Sequence, residues 1–184
     1  MAAVTRADHL ISGEELARTP GRDPCELVEG RIVPMSPGGV EHSLVTANAF
    51  RLLDAFVRPR RLGRVLTGET GFYTRRDPDT VRGADVLFIS AERYARRTRT
   101  LTFLDVAPEL IVEVLSVRDT VMDLADKLRE YFAAGVQLVW VVDPRARSVY
   151  TYRSVTDLRE VTDTLTGDEP LLGFAAPVAA LFEE

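Results

Sequence analysis

Apolar positions along the chain recur with two periods, and the switches between them mark out its elements. Around Ser12–Arg18 the spacing predicts a short helix, with Ser12 as N-cap and Glu15 closing a capping box. Glu26–Ser36 (ELVEGRIVPMS) predicts a hairpin turning at Glu29-Gly30, and Pro34 puts its second arm at a sheet edge. From Glu41 to Val57 the spacing is helical again, through Leu44, Val45, Phe50, Leu52, Leu53 and Phe56. Arg64–Tyr73 reads as a strand, Thr74–Arg82 as a polar connection rich in turn formers, and Ala84–Ile89 (ADVLFI) as a short buried strand.

The second half is more regular. Ser90–Thr102 is the most basic stretch, and Leu110–Leu115 (LIVEVL) is another buried strand. Asp119 or Thr120 caps a helix running to about Ala134, with Gly135 as the C′ residue. Leu138–Val142 and Ser148–Arg153 are strands joined by a turn at Asp143-Pro144, and Trp140 belongs to the core. A weak strand near Glu160–Asp163 precedes irregular apolar packing. Consecutive strands without intervening helices argue against a doubly wound nucleotide fold. They favour an α+β domain with a mixed central sheet flanked by helices.

Composition narrows the class. The chain has 184 residues, 46% hydrophobic and 28% charged, which suits one globular domain (1–184) with an N-terminal helical extension. A single cysteine, Cys25, excludes an internal disulfide and any cysteine-based zinc cluster. The N-terminal stretch lacks a long apolar segment, and LLGFAAPVAALF is too short to span a bilayer, so a cytoplasmic location is expected. A net charge of −5 is a poor footprint for binding nucleic acid by bulk electrostatics, so such contact requires a local patch or a metal. Of the 23 basic residues only Lys127 is lysine, a compact charge that is not interchangeable with arginine.

Candidate chemistry begins with an exclusion. Gly63–Thr70 nearly spells a phosphate-binding loop, but Glu69 stands where its lysine belongs, and strand rather than helix follows. The informative pair is Asp85 and Glu113, each set inside an apolar strand, where an unpaired carboxylate is costly to bury. By strand periodicity Asp85 shares a face with Leu87 and Ile89, and Glu113 with Ile111 and Leu115. Two such acids either coordinate magnesium jointly or form separate salt bridges to arginines. On the following helix Val121, Leu124, Leu128, Tyr131 and Phe132 form an apolar arc, with Lys127 on its border and Asp126 and Glu130 pointing well away. Lys127 either extends its ammonium over the sheet edge or pairs on the surface with Asp123.

The segments ELVEGRIVPMSP, His42, ADVLFIS, APELIVEVLS and DLADKLREYFAAGVQLVWVVDP, in that order, resemble the Uma-two family. This bacterial group is assigned as nucleases of restriction-endonuclease-like, PD-(D/E)xK fold. The resemblance implies Asp85 and Glu113 as metal ligands together with the Val114 carbonyl, and Lys127 as the motif's lysine on the following helix. It also assigns Glu26, for a second metal or its water, and His42 at the site edge. Ala84 replaces the usual proline and Leu115 the usual lysine, so the lysine function rests wholly on Lys127.

The implied activity is hydrolysis of phosphodiester bonds, in DNA, with Mg2+ or Mn2+. Arg93, Arg96, Arg97 and Arg99 are either a solvated face or phosphate contacts beside the site. A homodimer is an expectation from the fold. The alternatives are a nuclease-fold interaction protein without useful cleavage, and a hydrolase of RNA or small phosphate esters.

Overall fold

The computed structural model describes residues 9–19 and 24–184; the start of the N-terminal stretch discussed above lies outside them. Helix α1 (Gly13–Arg18) begins with the expected capping box, Ser12 accepting from the Glu15 amide while Glu15 accepts from the Ser12 amide. The hairpin follows as β1 (Cys25–Val28) and β2 (Arg31–Pro34). Its turn residues Glu29 and Gly30 have φ of 50° and 74°, the paired left-handed conformations that match strand twist in a two-residue turn. Pro34 does lie on the edge strand of the sheet.

After α2 (Val40–Arg60) come β3 (Gly63–Arg75), β4 (Thr80–Ser90), the short α3 (Ala91–Arg96) and β5 (Leu110–Val114). Helix α4 (Val121–Ala134) then crosses over to β6 (Leu138–Asp143), followed by β7 (Ser148–Tyr152) and β8 (Leu158–Val161). These strands form one sheet in the order β2-β1-β4-β5-β6-β7-β8, with β3 also paired to β4. Only β5 and β6 run parallel, as expected of two strands joined by a helix, so the sheet is mixed.

Each face of the sheet is covered. Val45, Ala49, Leu53 and Val57 of α2 pack on Val86, Phe88, Val112 and Trp140, and the C-terminal segment closes the same face with Leu165, Phe174 and Leu181. Leu128 and Tyr131 of α4 cover the other face, over Leu87, Ile89, Ile111 and Val139. This is the α+β, restriction-endonuclease-like arrangement. No helix among the described residues is long and apolar enough to cross a membrane.

Three segments depart from the sequence reading. The connection over Thr74–Arg82 is only a tight turn, because β3 extends to Arg75 and β4 starts at Thr80. Its polar residues belong to a strand because they are partnered: Thr80 Oγ1 accepts from the Glu29 amide at 3.0 Å, and Arg82 is ion-paired. The apolar tail is not irregular. It forms a second, two-stranded sheet, β9 (Thr164–Gly167) with β10 (Leu171–Pro177), and a 3-10 turn over Val178–Phe182. The basic stretch contains α3, capped by Ser90.

One feature of the sheet creates a site. Strand β4 meets β1 at Val81 and meets β5 only from Val86 onwards. Between those points β1 and β5 diverge, leaving Arg82–Asp85 with β3 on one edge and a fork on the other.

Candidate active site

Buried side chains from both prongs of the fork fill it. Asp85 lies in β4 and Glu113 near the end of β5, and both are buried. They occupy the sheet face covered by α4, as the period-two pattern predicts, alongside Leu87 and Ile111. Asp85 Oδ2 accepts from the Val114 amide at 2.8 Å, which ties the acid of β4 to the backbone of β5 just where ladder pairing stops. Val114 thus enters the site through its N–H.

Lys127 reaches the acids. Its Nζ lies 2.9 Å from Glu113 Oε2 and 3.7 Å from Glu26 Oε1, and Asp123 is engaged instead in the capping box with Thr120. The lysine stem runs along the border of the apolar face of α4, placing its ammonium over the fork. Tyr131, one turn further on, donates its hydroxyl to Glu113 Oε1 at 2.7 Å. Both Glu113 oxygens are therefore held by residues of one helix face, four positions apart.

Glu26 enters from β1. Its Oε1 accepts from the Gly83 amide at 3.0 Å and its Oε2 from Arg82 Nη1 at 2.7 Å. The carboxylate thus takes the ladder position that β1 vacates. Arg82 also donates to both oxygens of Glu130, at 2.7 and 2.8 Å. Glu130 therefore does not point away from the site as helical spacing suggests; a cation on the sheet draws it in. His42, in the first turn of α2, places Nε2 3.2 Å from Asp85 Oδ1.

The electrostatics follow from burial and crowding. Burial pushes the Glu113 carboxyl up to about 7, Asp85 adding to the shift and Lys127 opposing it. Burial works against the Lys127 charge, but Glu113 and Glu26 outweigh it and hold the ammonium above the usual lysine range. The hydrogen bond to Asp85 raises the His42 imidazole, with burial opposing. Acids outnumber cations here, and a carboxylate-rich donor set of this kind suits a hard divalent cation. Among the described residues no three acid, histidine or cysteine side chains form a ready cage. The donors instead fit an ion that keeps several of its own waters, as magnesium does.

The arginine stretch begins at the end of β4 remote from Asp85. Arg93 donates to the carbonyls of Ala107 and Gly135, each at 3.0 Å, and pairs with Glu109 at 3.2 Å. Glu109 just precedes β5, four residues before Glu113, which is about 13 Å along an extended strand. Arg93 is thus a clamp between loops at the far end of β5. Arg96 pairs with Glu92, Arg97 stacks on Tyr94, and Arg99 is exposed.

The sequence reading missed four participants, Glu69, Arg82, Glu130 and Tyr131. Tyr131 was visible only as core, and Arg82 only as one arginine among many. Glu69 counted solely as the residue that spoils a phosphate loop. In the structure its carboxylate rests over Gly83, two residues before Asp85 on the same face of β4.

No curated protein matches the chain. Among solved structures, "a putative nuclease belonging to DUF820" from Anabaena variabilis matches with a TM-score of 0.78 and 19% identity, over 94% of this chain and 97% of that one. At that identity the likeness shows the fold alone. The Uma2 family model, described as "Putative restriction endonuclease", matches residues 14–179, nearly the whole chain, and the protein belongs to that family.

Proposed function

We propose that this protein is a metal-dependent nuclease that hydrolyses phosphodiester bonds in DNA at the fork between β1, β4 and β5. One observation carries the reading most directly: the only lysine of the chain sets its ammonium 2.9 Å from Glu113, on the face that also holds Asp85. Family membership and fold support nuclease chemistry.

Asp85, Glu113 and the Val114 carbonyl would hold Mg2+ or Mn2+. When bound, such an ion polarises the phosphate and lowers the pKa of an attacking water. The chain's own groups do the rest. The Lys127 ammonium orients the water or neutralises charge developing on the phosphoryl oxygens, a task for a fixed cation in a partly dehydrated site. Tyr131 fixes the rotamer of Glu113, and the Val114 amide and His42 fix Asp85. Glu26, anchored by Arg82 and the Gly83 amide, acts chiefly to aim the Lys127 ammonium.

The test is cleavage of single- and double-stranded substrates across a Mg2+ and Mn2+ titration, comparing wild type with Asp85→Ala and Lys127→Ala. Both variants are expected to lose cleavage by at least ~10²-fold. Cleavage that survives both substitutions removes the site assignment. Metal binding by the wild type without cleavage of any nucleic acid points instead to an interaction protein on a nuclease scaffold.

A further inference from the structure

Strand β3 carries a local irregularity directly opposite Asp85. Its register on β4 runs Thr67↔Val86 and then Thr70↔Ala84, so Gly68 and Glu69 together face the single residue Asp85. This is a β-bulge, a device that re-aims a side chain beside a functional site. Gly68 and Glu69 have φ of 84° and 56°. The first conformation is ordinary for glycine. The second is costly for a glutamate, and turn chemistry alone would favour Asn, Asp or Gly there.

The bulge turns Glu69 toward the acids. A Cβ on Gly83 would lie 3.0 Å from Glu69 Oε2, so the carboxylate rests over Gly83, on the face that also carries Asp85 two residues on. Thr67 donates its hydroxyl to the Asp85 carbonyl at 2.8 Å, and Thr70 to the Thr67 carbonyl at 3.2 Å, pinning the bulge to β4. Every other acid of the fork has a donor: Arg82 for Glu26 and Glu130, Lys127 and Tyr131 for Glu113, His42 and the Val114 amide for Asp85. Glu69 instead rests over the Gly83 backbone, beside Asp85. It is also the more solvent-open of the two. A strained backbone that sets one acid beside another is a poor arrangement unless a proton or a cation comes between them.

We propose that Glu69 is a further oxygen ligand, directly or through a bound water, for the divalent cation at Asp85. The inference rests on the metal-dependent reading above and adds a residue to it. The ion would then be held from β3 as well as from β4 and β5, and the bulge would be the backbone device that brings the third strand into the site.

The experiment is calorimetric titration of Mn2+ into wild type, Glu69→Gln and Asp85→Asn, with thermal unfolding of each in EDTA and in saturating Mn2+. Glutamine keeps the size of Glu69 and removes its charge, so unfolding in EDTA reports whether the fold is intact. The expected result is that Glu69→Gln unfolds in EDTA at or above the wild-type temperature, binds Mn2+ roughly tenfold or more weakly, and loses most of the Mn2+-dependent rise in Tm. Wild-type Mn2+ affinity in Glu69→Gln, with binding abolished in Asp85→Asn, overturns the role of Glu69 and leaves the metal site standing. Absence of Mn2+ binding in the wild type overturns both.

Discussion

At the scale of single residues, the site is a set of buried acids, and what distinguishes them is which donor each one has. Glu113 illustrates the point: its two oxygens are divided between Lys127 at 2.9 Å and Tyr131 at 2.7 Å. Removing the tyrosine hydroxyl leaves one oxygen of a buried carboxylate without a donor. Tyr131→Phe is expected to lower unfolding free energy by about 1–3 kcal/mol, measured by urea denaturation with m unchanged. A loss close to zero would mean that Glu113 is not held from this side. The two strand acids and the lysine were legible in the sequence because each breaks a rule locally. An acid inside LFI- or LIV-type runs must be compensated, and a sole lysine among arginines stands out chemically. Glu69 breaks no such rule. It follows a glycine in a polar stretch, and only the bulge opposite Asp85 makes it part of the site.

At the scale of elements, the fork exists because β1 and β5 separate along β4, and Arg82 ties the separated pieces together. Its guanidinium bridges Glu26 of β1 and Glu130 of α4, joining sheet edge to helix where no ladder hydrogen bonds do so. Arg82→Met deletes the shared cation and strands two partly or wholly buried carboxylates. It is expected to cost about 3 kcal/mol or more in chemical denaturation, and to lower cleavage by loosening Glu26 behind Lys127. A cost below about 1 kcal/mol would mean that the bridge behaves as a surface pair. Helix caps and hairpin turn were legible because they are local: Ser12 with Glu15, Thr120 with Asp123, and Glu29-Gly30 are set by neighbours in sequence. The Arg82–Glu130 bridge spans 48 positions, and neither residue's local pattern announces the other. The same reason hid the β9–β10 hairpin, whose apolar positions face α2 and Trp140 rather than a neighbouring strand of the main sheet.

At the scale of the whole molecule, a net charge of −5 and an acid-rich fork leave little to attract a polyanion until a divalent cation is bound. Arg93 does not offset this, since it is committed to the carbonyls of Ala107 and Gly135. DNA affinity, followed by fluorescence anisotropy, is therefore expected to be weak in EDTA and tighter in Ca2+, which favours binding without supporting rapid cleavage. Equal affinity in both would show that DNA docks away from the acids. In the proposed function Lys127 serves the chemical step while the carboxylates hold the ion, and Lys127→Met separates the two roles. The most direct measurement is single-turnover cleavage of duplex DNA by Lys127→Met at saturating Mn2+, with Mn2+ affinity determined on the same sample. The expected result is Mn2+ binding at least as tight as in the wild type, because a competing cation has left Glu113, together with cleavage slower by at least ~10²-fold. Wild-type cleavage by the Mn2+-loaded variant would contradict it.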